Sequence, residues 1–150
     1  MLANASRYAV QALALLAKAD GKPLLVKDIA SAAGVPAPYL AKIVQTLAKK
    51  GIARTQRGIG GGVALARPAS GISLHDIACA LDDPCVIDRC LLGVRRCTDE
   101  RCDLCRRFWR PHQASFTAFL RTTTIDAVAR GDGAVSDGLA GAAQAAHTPA

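Results

Sequence analysis

The first 50 residues of the chain carry two patterns of apolar side chains at helical spacing. Residues 8–17 are apolar around most of a helix, which is typical of a helix buried on nearly all sides. Between Lys27 and Gln45 small residues separate the apolar positions. This second pattern predicts a helix-turn-helix, because Gly34 allows the positive φ of a tight turn and Ala30 is small where two helices cross. The prediction depends on Ile29, Ala30, Ala33, Gly34, Val35, Leu40 and Ile43, with Pro38 in the first turn of the second helix.

A glycine-rich stretch follows the second helix, which we expect to end near residues 50–51. Two short runs, residues 52–57 and 63–67, have strand character and flank the glycines within residues 58–62. They predict a β-hairpin, or wing. A phosphate-binding loop is excluded because no Lys-Ser or Lys-Thr pair and no new helix follows the glycines. The predicted fold is mainly α with a small β-hairpin, a winged helix-turn-helix in residues 1–82.

The second half of the chain is predicted to contain a short helix and an unstructured tail. A capping pair, Ser73 and Asp76, opens the helix. Within it we expect Cys79 to be a small core residue beside Ile77 and Leu81. Residues 131–150 are rich in glycine and alanine with few large apolar side chains, which predicts disorder.

Charge is distributed unevenly along the 150 residues, whose net charge is +7. Residues 1–67 hold ten Lys and Arg against two Asp, a net charge of +8. Residues 68–150 hold nine Arg against ten acidic residues, a net charge of −1. A cationic winged helix indicates binding to nucleic acid, with an unpartnered solvated basic surface as the alternative.

Four of the six cysteines lie close together in an arginine-rich stretch. They are Cys90, Cys97, Cys102 and Cys105, separated by six, four and two residues. Because a CxxC pair lets two sulfurs reach one metal centre, this segment predicts either an iron-sulfur cluster or a zinc site. Free or disulfide-forming thiols are the alternative, and Cys85 is a spare thiol or a substitute ligand.

Other classes of protein have less support. No signal peptide and no apolar stretch of about 18 residues is present, so we expect a cytoplasmic protein without a membrane partner. In that compartment cysteines are more often metal-binding or redox-active than cross-linked. His75, His112 and His147 form no constellation with a nucleophile and an acid, so an enzyme is not predicted.

Four segments together resemble the Rrf2 family of bacterial transcriptional regulators, some of which bind iron-sulfur clusters. They are residues 6–10 (SRYAV), 39–43 (YLAKI), 57–62 (RGIGGG) and 122–125 (TTTI), in a resemblance that covers residues 1–130 in order. The resemblance implies a homodimer. It also implies a cluster-binding loop in residues 83–109 and a long dimerisation helix in residues 110–130.

The resemblance assigns the ligands as well. Cluster-binding members carry three cysteines before the long helix, and Cys90, Cys97 and Cys102 match them. Some members add a histidine three residues later, where this chain has Cys105. Others use a carboxylate near the N-terminus of the partner subunit, but the matching residue here is Arg7. Cys105 is therefore the fourth candidate, and four thiolates suit a 4Fe-4S cluster, a 2Fe-2S cluster or tetrahedral zinc.

The predicted function is a homodimeric DNA-binding transcriptional regulator whose iron-sulfur cluster senses redox, nitric oxide or iron status. A dimer that presents two recognition helices to successive major grooves implies a roughly palindromic operator of double-stranded DNA. One alternative is a winged-helix regulator with a structural zinc site. The other is a small redox protein, which leaves the basic first half unexplained.

Two parts of the chain are expected to contact DNA. One is the start of the second helix of the helix-turn-helix, and the other is the wing. Ala41 cannot form a hydrogen bond with a base, so base readout depends on Lys42, Gln45 and the wing. Lys49 is expected to meet phosphate, and Arg57 to enter a minor groove. The predicted DNA-contacting residues are Pro38, Tyr39, Ala41, Lys42, Gln45, Lys49, Arg57, Gly58 and Gly60.

Overall fold

Three helices fill the first 50 residues of the chain. The computed structural model describes residues 2–86, 103 and 105–131, and of residues 105 and 106 it describes only the backbone. A short 3₁₀ turn, Ala69–Gly71, and a π-helical turn, Cys105–Trp109, separate some of the regular elements. Those elements are α1 (Asn4–Lys18), α2 (Val26–Ala33), α3 (Ala37–Lys49), β1 (Ala53–Gln56), β2 (Gly62–Leu65), α4 (Leu74–Ala80), α5 (Arg110–Thr122) and α6 (Ile125–Arg130).

The predicted helix-turn-helix is confirmed in α2 and α3. Gly34 follows α2 with a φ of +64°, which turns the chain toward α3. Pro38 lies in the first turn of α3, where its missing N–H costs no helical hydrogen bond. Four apolar side chains of α3 are buried, and the helix packs on both α1 and α2. They are Leu40, Ile43, Val44 and Leu47, at the spacing of one helix face.

The predicted wing is confirmed as an antiparallel hairpin of β1 and β2. Ala53 lies opposite Leu65, and Gln56 lies opposite Gly62. The strand β2 is also tied to the segment between α1 and α2. The Leu24 N–H donates to the Val63 carbonyl at 2.9 Å, and the Val63 N–H donates to the Leu24 carbonyl at 2.8 Å. The wing is therefore anchored to the helical part of the molecule through β2.

Replacing Gly62 with alanine is expected to destabilise this anchor. Gly62 has a φ of +155°, and an added Cβ would lie 2.5 Å from the Leu24 carbonyl oxygen. We expect Gly62→Ala to lower the free energy of unfolding by about 3 kcal/mol, measured by urea denaturation. Gly60 is the matched control, since its φ is +76° but an added Cβ would meet nothing within 4 Å. Gly60→Ala should cost about 1 kcal/mol, and equal losses in both variants would contradict the role of the Leu24 contact.

The helix α4 confirms one prediction and corrects another. The Ser73 hydroxyl accepts the Asp76 N–H at 3.1 Å, and the Asp76 carboxylate accepts the Ser73 N–H at 3.1 Å, so the capping pair is present. The prediction that Cys79 is a core residue is wrong, because its side chain is exposed and its Sγ lies 3.6 Å from His75 Nδ1. The core face of α4 is formed by Leu74, Ile77 and Ala78, at spacings of three and four residues. Cys79 therefore falls on the opposite side.

The helix expected in residues 110–130 is interrupted. Helix α5 ends at Thr122, and α6 begins at Ile125. β-Branched threonines weaken a helix, and the Thr124 hydroxyl accepts the Ala127 N–H at 3.3 Å as a new N-cap. The segment also pairs with the start of α4, since the Leu74 N–H donates to the Thr123 carbonyl at 2.9 Å. One continuous helix is thus replaced by two.

Helix α6 belongs to the same core as the winged helix. It packs on α1, and the Ile125 N–H donates to the Ile72 carbonyl at 2.8 Å. Ile125, Val128 and Leu120 are buried in one cluster with the apolar residues of α1 and α3. The winged helix of residues 1–82 is therefore completed by residues near the C-terminal end of the described chain. Of the predicted tail of residues 131–150, Gly131 ends α6 with a φ of +73°, and the rest lies outside the described residues.

Candidate DNA interface and cysteine site

One face of α3 exposes polar and basic side chains. Pro38, Lys42, Gln45 and Lys49 are all exposed, at intervals of four, three and four residues that place them along one side of the helix. The opposite side is the buried face that holds α3 against α1 and α2. A helix fixed in this way presents its outer face as a rigid surface, which suits insertion into a major groove.

Two of the predicted DNA-contacting residues at the start of α3 are less exposed to solvent or have a partner within the protein. Ala41 is half-buried, whereas Tyr39 is 41% exposed. The Tyr39 ring meets the Tyr8 ring of α1 edge-to-face, with centroids 6.0 Å apart and planes at 89°. This contact was not predicted from the sequence. An aromatic residue near the start of α1 was the available signal, but only the packing of α1 on α3 brings the two rings together.

The tip of the wing is exposed as predicted. Arg57, Gly58 and Gly60 are all exposed, and the two glycines have φ values of +95° and +76°. The sequence analysis missed Arg54, which is exposed in β1 next to the buried Ala53. The run of polar residues that follows Ala53 in the strand, Arg54 to Gln56, was the signal that could have identified it.

The basic side chains of α3 and the wing form no ion pair with other described residues. The ion pairs found within residues 2–86, 103 and 105–131 are Arg67 with Asp76, Arg107 with Asp103 and Arg130 with Asp126. None of them uses Lys42, Lys49, Arg54 or Arg57. These charges are available to the phosphates of a nucleic acid.

The predicted ligands lie mostly outside the described residues. Cys90, Cys97 and Cys102 are not among the described residues. Cys105 begins the π-helical turn that leads into α5. Elsewhere in the described chain, no three His, Cys, Asp or Glu residues are grouped to hold a metal ion. The candidate donor set is therefore the four-cysteine segment itself, and four thiols suit the chemistry of an iron-sulfur cluster or of zinc.

Cys85 is poorly suited to be a substitute ligand. Its side chain is half-buried, and burial, followed by the neighbouring Asp83 carboxylate, raises the pKa of the Cys85 thiol to about 12. Metal ligation requires the thiolate, which is scarce at neutral pH when the pKa is this high. The interpretation of Cys85 as a spare thiol is favoured.

Asp83 is a buried carboxylate that the sequence analysis did not single out. It is 2% exposed, and it accepts the Ala3 N–H at 2.8 Å and the Cys85 N–H at 3.0 Å. Burial alone would raise the pKa of Asp83, but the nearby Ser6 hydroxyl and the backbone N–H groups that Asp83 accepts lower this pKa overall. Asp83 is therefore an ionised group at neutral pH that joins the start of α1 to the start of the cysteine-rich segment.

Comparison with known proteins agrees with this geometry. The family model of Rrf2, described as an iron-dependent transcriptional regulator, matches residues 2–131. The chain belongs to the Rrf2 family. Rrf2 proteins are DNA-binding transcriptional regulators and not enzymes, so the predicted family, fold and class of function are confirmed. The membership favours a regulator over a small redox protein.

Individual Rrf2 proteins are similar over most of their length. The regulator IscR of Escherichia coli O1:K1 is 30% identical over 125 residues, which cover 83% of this chain and 76% of IscR. The structure of CymR, the global cysteine regulator of B. subtilis, matches with a TM-score of 0.71 and 25% identity. That match covers 87% of this chain and 96% of CymR. The structure of T. potens IscR shares the fold, with a TM-score of 0.65 and 24% identity over 100% of this chain and 93% of that one.

Within residues 2–86, 103 and 105–131, no helix combines the length and the apolar composition needed to span a membrane.

Proposed function

We propose that this Rrf2 protein is a homodimer that binds a roughly palindromic operator with an affinity set by an iron-sulfur cluster. The candidate ligands are Cys90, Cys97, Cys102 and Cys105. The observation that carries the proposal is the combination, in one chain, of an exposed cationic face on α3 with four closely spaced thiols before α5. The first feature supplies DNA binding, and the second supplies a site that can respond to a signal.

The exposed side chains of α3 have two proposed roles, recognition of bases and binding of phosphate. Lys42 and Gln45 are exposed in the middle of the helix and can form hydrogen bonds with base edges in the major groove. Ala41 offers only a methyl group, which suits apolar contact with a thymine methyl. Lys49, near the end of α3, is placed for a phosphate, which orients the protein without specifying sequence. Arg57 at the tip of the wing is placed for a minor groove.

A second copy of the chain would cover apolar side chains that the monomer exposes. Phe119 of α5 is 54% exposed, and Phe108 in the preceding turn is 61% exposed. Burial of apolar surface contributes about 25 cal/mol per Å², so pairing through α5 would remove an unfavourable contact with water. A twofold dimer would place two copies of α3 about 34 Å apart, one turn of the DNA helix, which is the reason for a palindromic operator.

An iron-sulfur cluster is favoured over zinc because the family is described as iron-dependent. Four thiolates can hold either a 4Fe-4S or a 2Fe-2S cluster. Such a group supplies chemistry that zinc lacks, since its charge and ligation change with oxidation, nitric oxide or iron supply. The protein contributes the thiolates and the nearby arginines of residues 89–110, whose positive charge favours the thiolate form. A structural zinc site remains the second candidate, because the same thiols suit it.

Selection of DNA from a random pool tests the proposal. The protein purified without oxygen and the same protein stripped of metal by a chelator would each be used to enrich duplexes. We expect enrichment of a sequence with twofold symmetry, and an affinity for it that differs at least fivefold between the two forms, a coupling of about 1 kcal/mol. Equal affinity of the two forms would contradict regulation by the metal site. Enrichment of an asymmetric sequence would contradict the dimeric arrangement.

A further inference from the structure

The start of α1 is capped by a residue from a distant part of the chain. Ala3, the residue before the helix, has no side chain that accepts a hydrogen bond, and no acidic residue lies in the first turn. The Asp83 carboxylate takes this role, since it accepts the Ala3 N–H at 2.8 Å across 80 residues of sequence. A negative charge at this end of a helix is favourable because the unpaired N–H groups there carry partial positive charge.

The position of that carboxylate is fixed by the end of α4. Asp82, just after α4, has a φ of +51°. This conformation turns the N–H groups of Asp82 and Asp83 back toward the last carbonyls of α4. The Asp83 N–H donates to the Ala78 carbonyl at 2.9 Å, and the Asp82 N–H donates to the Cys79 carbonyl at 3.3 Å. This is the Schellman arrangement of a helix C-terminus. It directs Asp83 inward, where its second oxygen accepts the Cys85 N–H at 3.0 Å.

The same end of α1 contacts the recognition helix. Tyr8 lies in the second turn of α1, and its ring meets Tyr39 edge-to-face at 6.0 Å between centroids. Tyr39 lies in the first turn of α3 and is partly exposed on the side of Pro38 and Lys42. This aromatic contact therefore connects the start of α1 to the start of α3.

We propose that Asp83 and Tyr8 are positioning residues for DNA recognition. Asp83 sets the position of the α1 N-terminus relative to the start of the cysteine-rich segment, and Tyr8 transmits that position to Tyr39. The proposal rests on the proposed function in one respect, the contact of Tyr39 with DNA. It adds a physical route from the start of the cysteine-rich segment to the recognition helix, because one carboxylate accepts both the Cys85 N–H and the Ala3 N–H at the start of α1, and Tyr8 of α1 contacts Tyr39.

The Tyr8 contact is tested with the full-length protein and the duplex enriched by selection. Tyr8→Ala is expected to weaken specific binding about three- to tenfold, the size of one lost aromatic pair, with little change in binding to a scrambled duplex. Tyr8→Phe keeps the ring and should bind like the original protein. Tyr39→Ala should also weaken binding, and the double variant should bind no worse than Tyr39→Ala alone.

The outcomes separate this inference from the function on which it rests. If Tyr39→Ala weakens binding but Tyr8→Ala does not, the positioning role is overturned and the contact of α3 with DNA stands. If Tyr39→Ala has no effect, the DNA contact of Tyr39 and the positioning role both fail. Additive losses in the double variant would show that the two rings act independently, and would also overturn the inference.

The role of Asp83 is tested with a neighbouring carboxylate as control. Asp83→Asn keeps the shape and one carbonyl acceptor, so the protein is expected to remain folded, which circular dichroism would verify. It should weaken specific binding about threefold or more, and the loss should disappear in a Tyr8→Ala background. Asp82→Asn removes the same charge from an exposed side chain and should leave binding unchanged. Equal effects of the two aspartate variants, or a loss that persists without Tyr8, would overturn the role of Asp83.

Discussion

The Cys97→Ala variant is expected to lose its iron-sulfur cluster when it is purified without oxygen. Three thiolates would remain for a site that needs four ligands, and burial raises the pKa of the Cys85 thiol to about 12, which makes Cys85 a poor replacement for the missing thiolate. Iron and sulfide per chain should fall close to zero, and the visible absorption should disappear. Operator affinity should then equal that of the metal-stripped protein.

Cys79→Ala is the matched control for this result. Cys79 is exposed in α4, outside the four-cysteine segment, so its loss should leave iron, sulfide and colour unchanged. A Cys97→Ala protein with full iron and sulfide content would remove Cys97 from the ligand set. A loss of the cluster in both variants would indicate general instability instead of the loss of a ligand.

Replacing Arg57 with alanine is expected to weaken operator binding by about 1–3 kcal/mol, or roughly 5- to 150-fold. Arg57 is exposed at the tip of the wing, and none of the ion pairs within the described residues uses it. Its guanidinium is therefore free to enter a narrow minor groove, where the negative potential is strongest. Fluorescence anisotropy over a range of salt concentrations would measure both the affinity and its salt dependence.

Arg67→Ala removes the same charge from the far end of the hairpin. Arg67 forms an ion pair with Asp76 at 3.0 Å, and a surface pair of this kind contributes about 0–1 kcal/mol to stability. Its replacement should change operator affinity less than twofold. Unchanged affinity of Arg57→Ala at moderate salt would show that the wing does not contribute to binding.

Local sequence patterns were enough to predict the helix-turn-helix and the wing. Gly34, Leu40 and Ile43 and the glycines at the wing tip each have a local reason to be where they are, and the structure places all of them as expected. The capping pair of α4 was predictable for the same reason, because Ser73 and Asp76 are three residues apart.

The features that were missed depend on packing between distant segments. The edge-to-face contact of Tyr8 with Tyr39 joins two helices, and Asp83 caps a helix that begins 79 residues earlier in the sequence. Cys79 was misplaced because five of the seven residues of α4 are apolar, so the sequence alone does not distinguish the core face of this helix. The break after α5 has a local cause in the Thr124 N-cap, but it also depends on the pairing of Thr123 with Leu74, which sequence periodicity does not reveal.

The iron-sulfur assignment is tested most directly by the iron, sulfide and zinc content of the protein purified without oxygen, together with its visible absorption. We expect a coloured protein with matched iron and sulfide and little zinc. A colourless protein with stoichiometric zinc would contradict the iron-sulfur assignment and would make the four-cysteine segment a structural site.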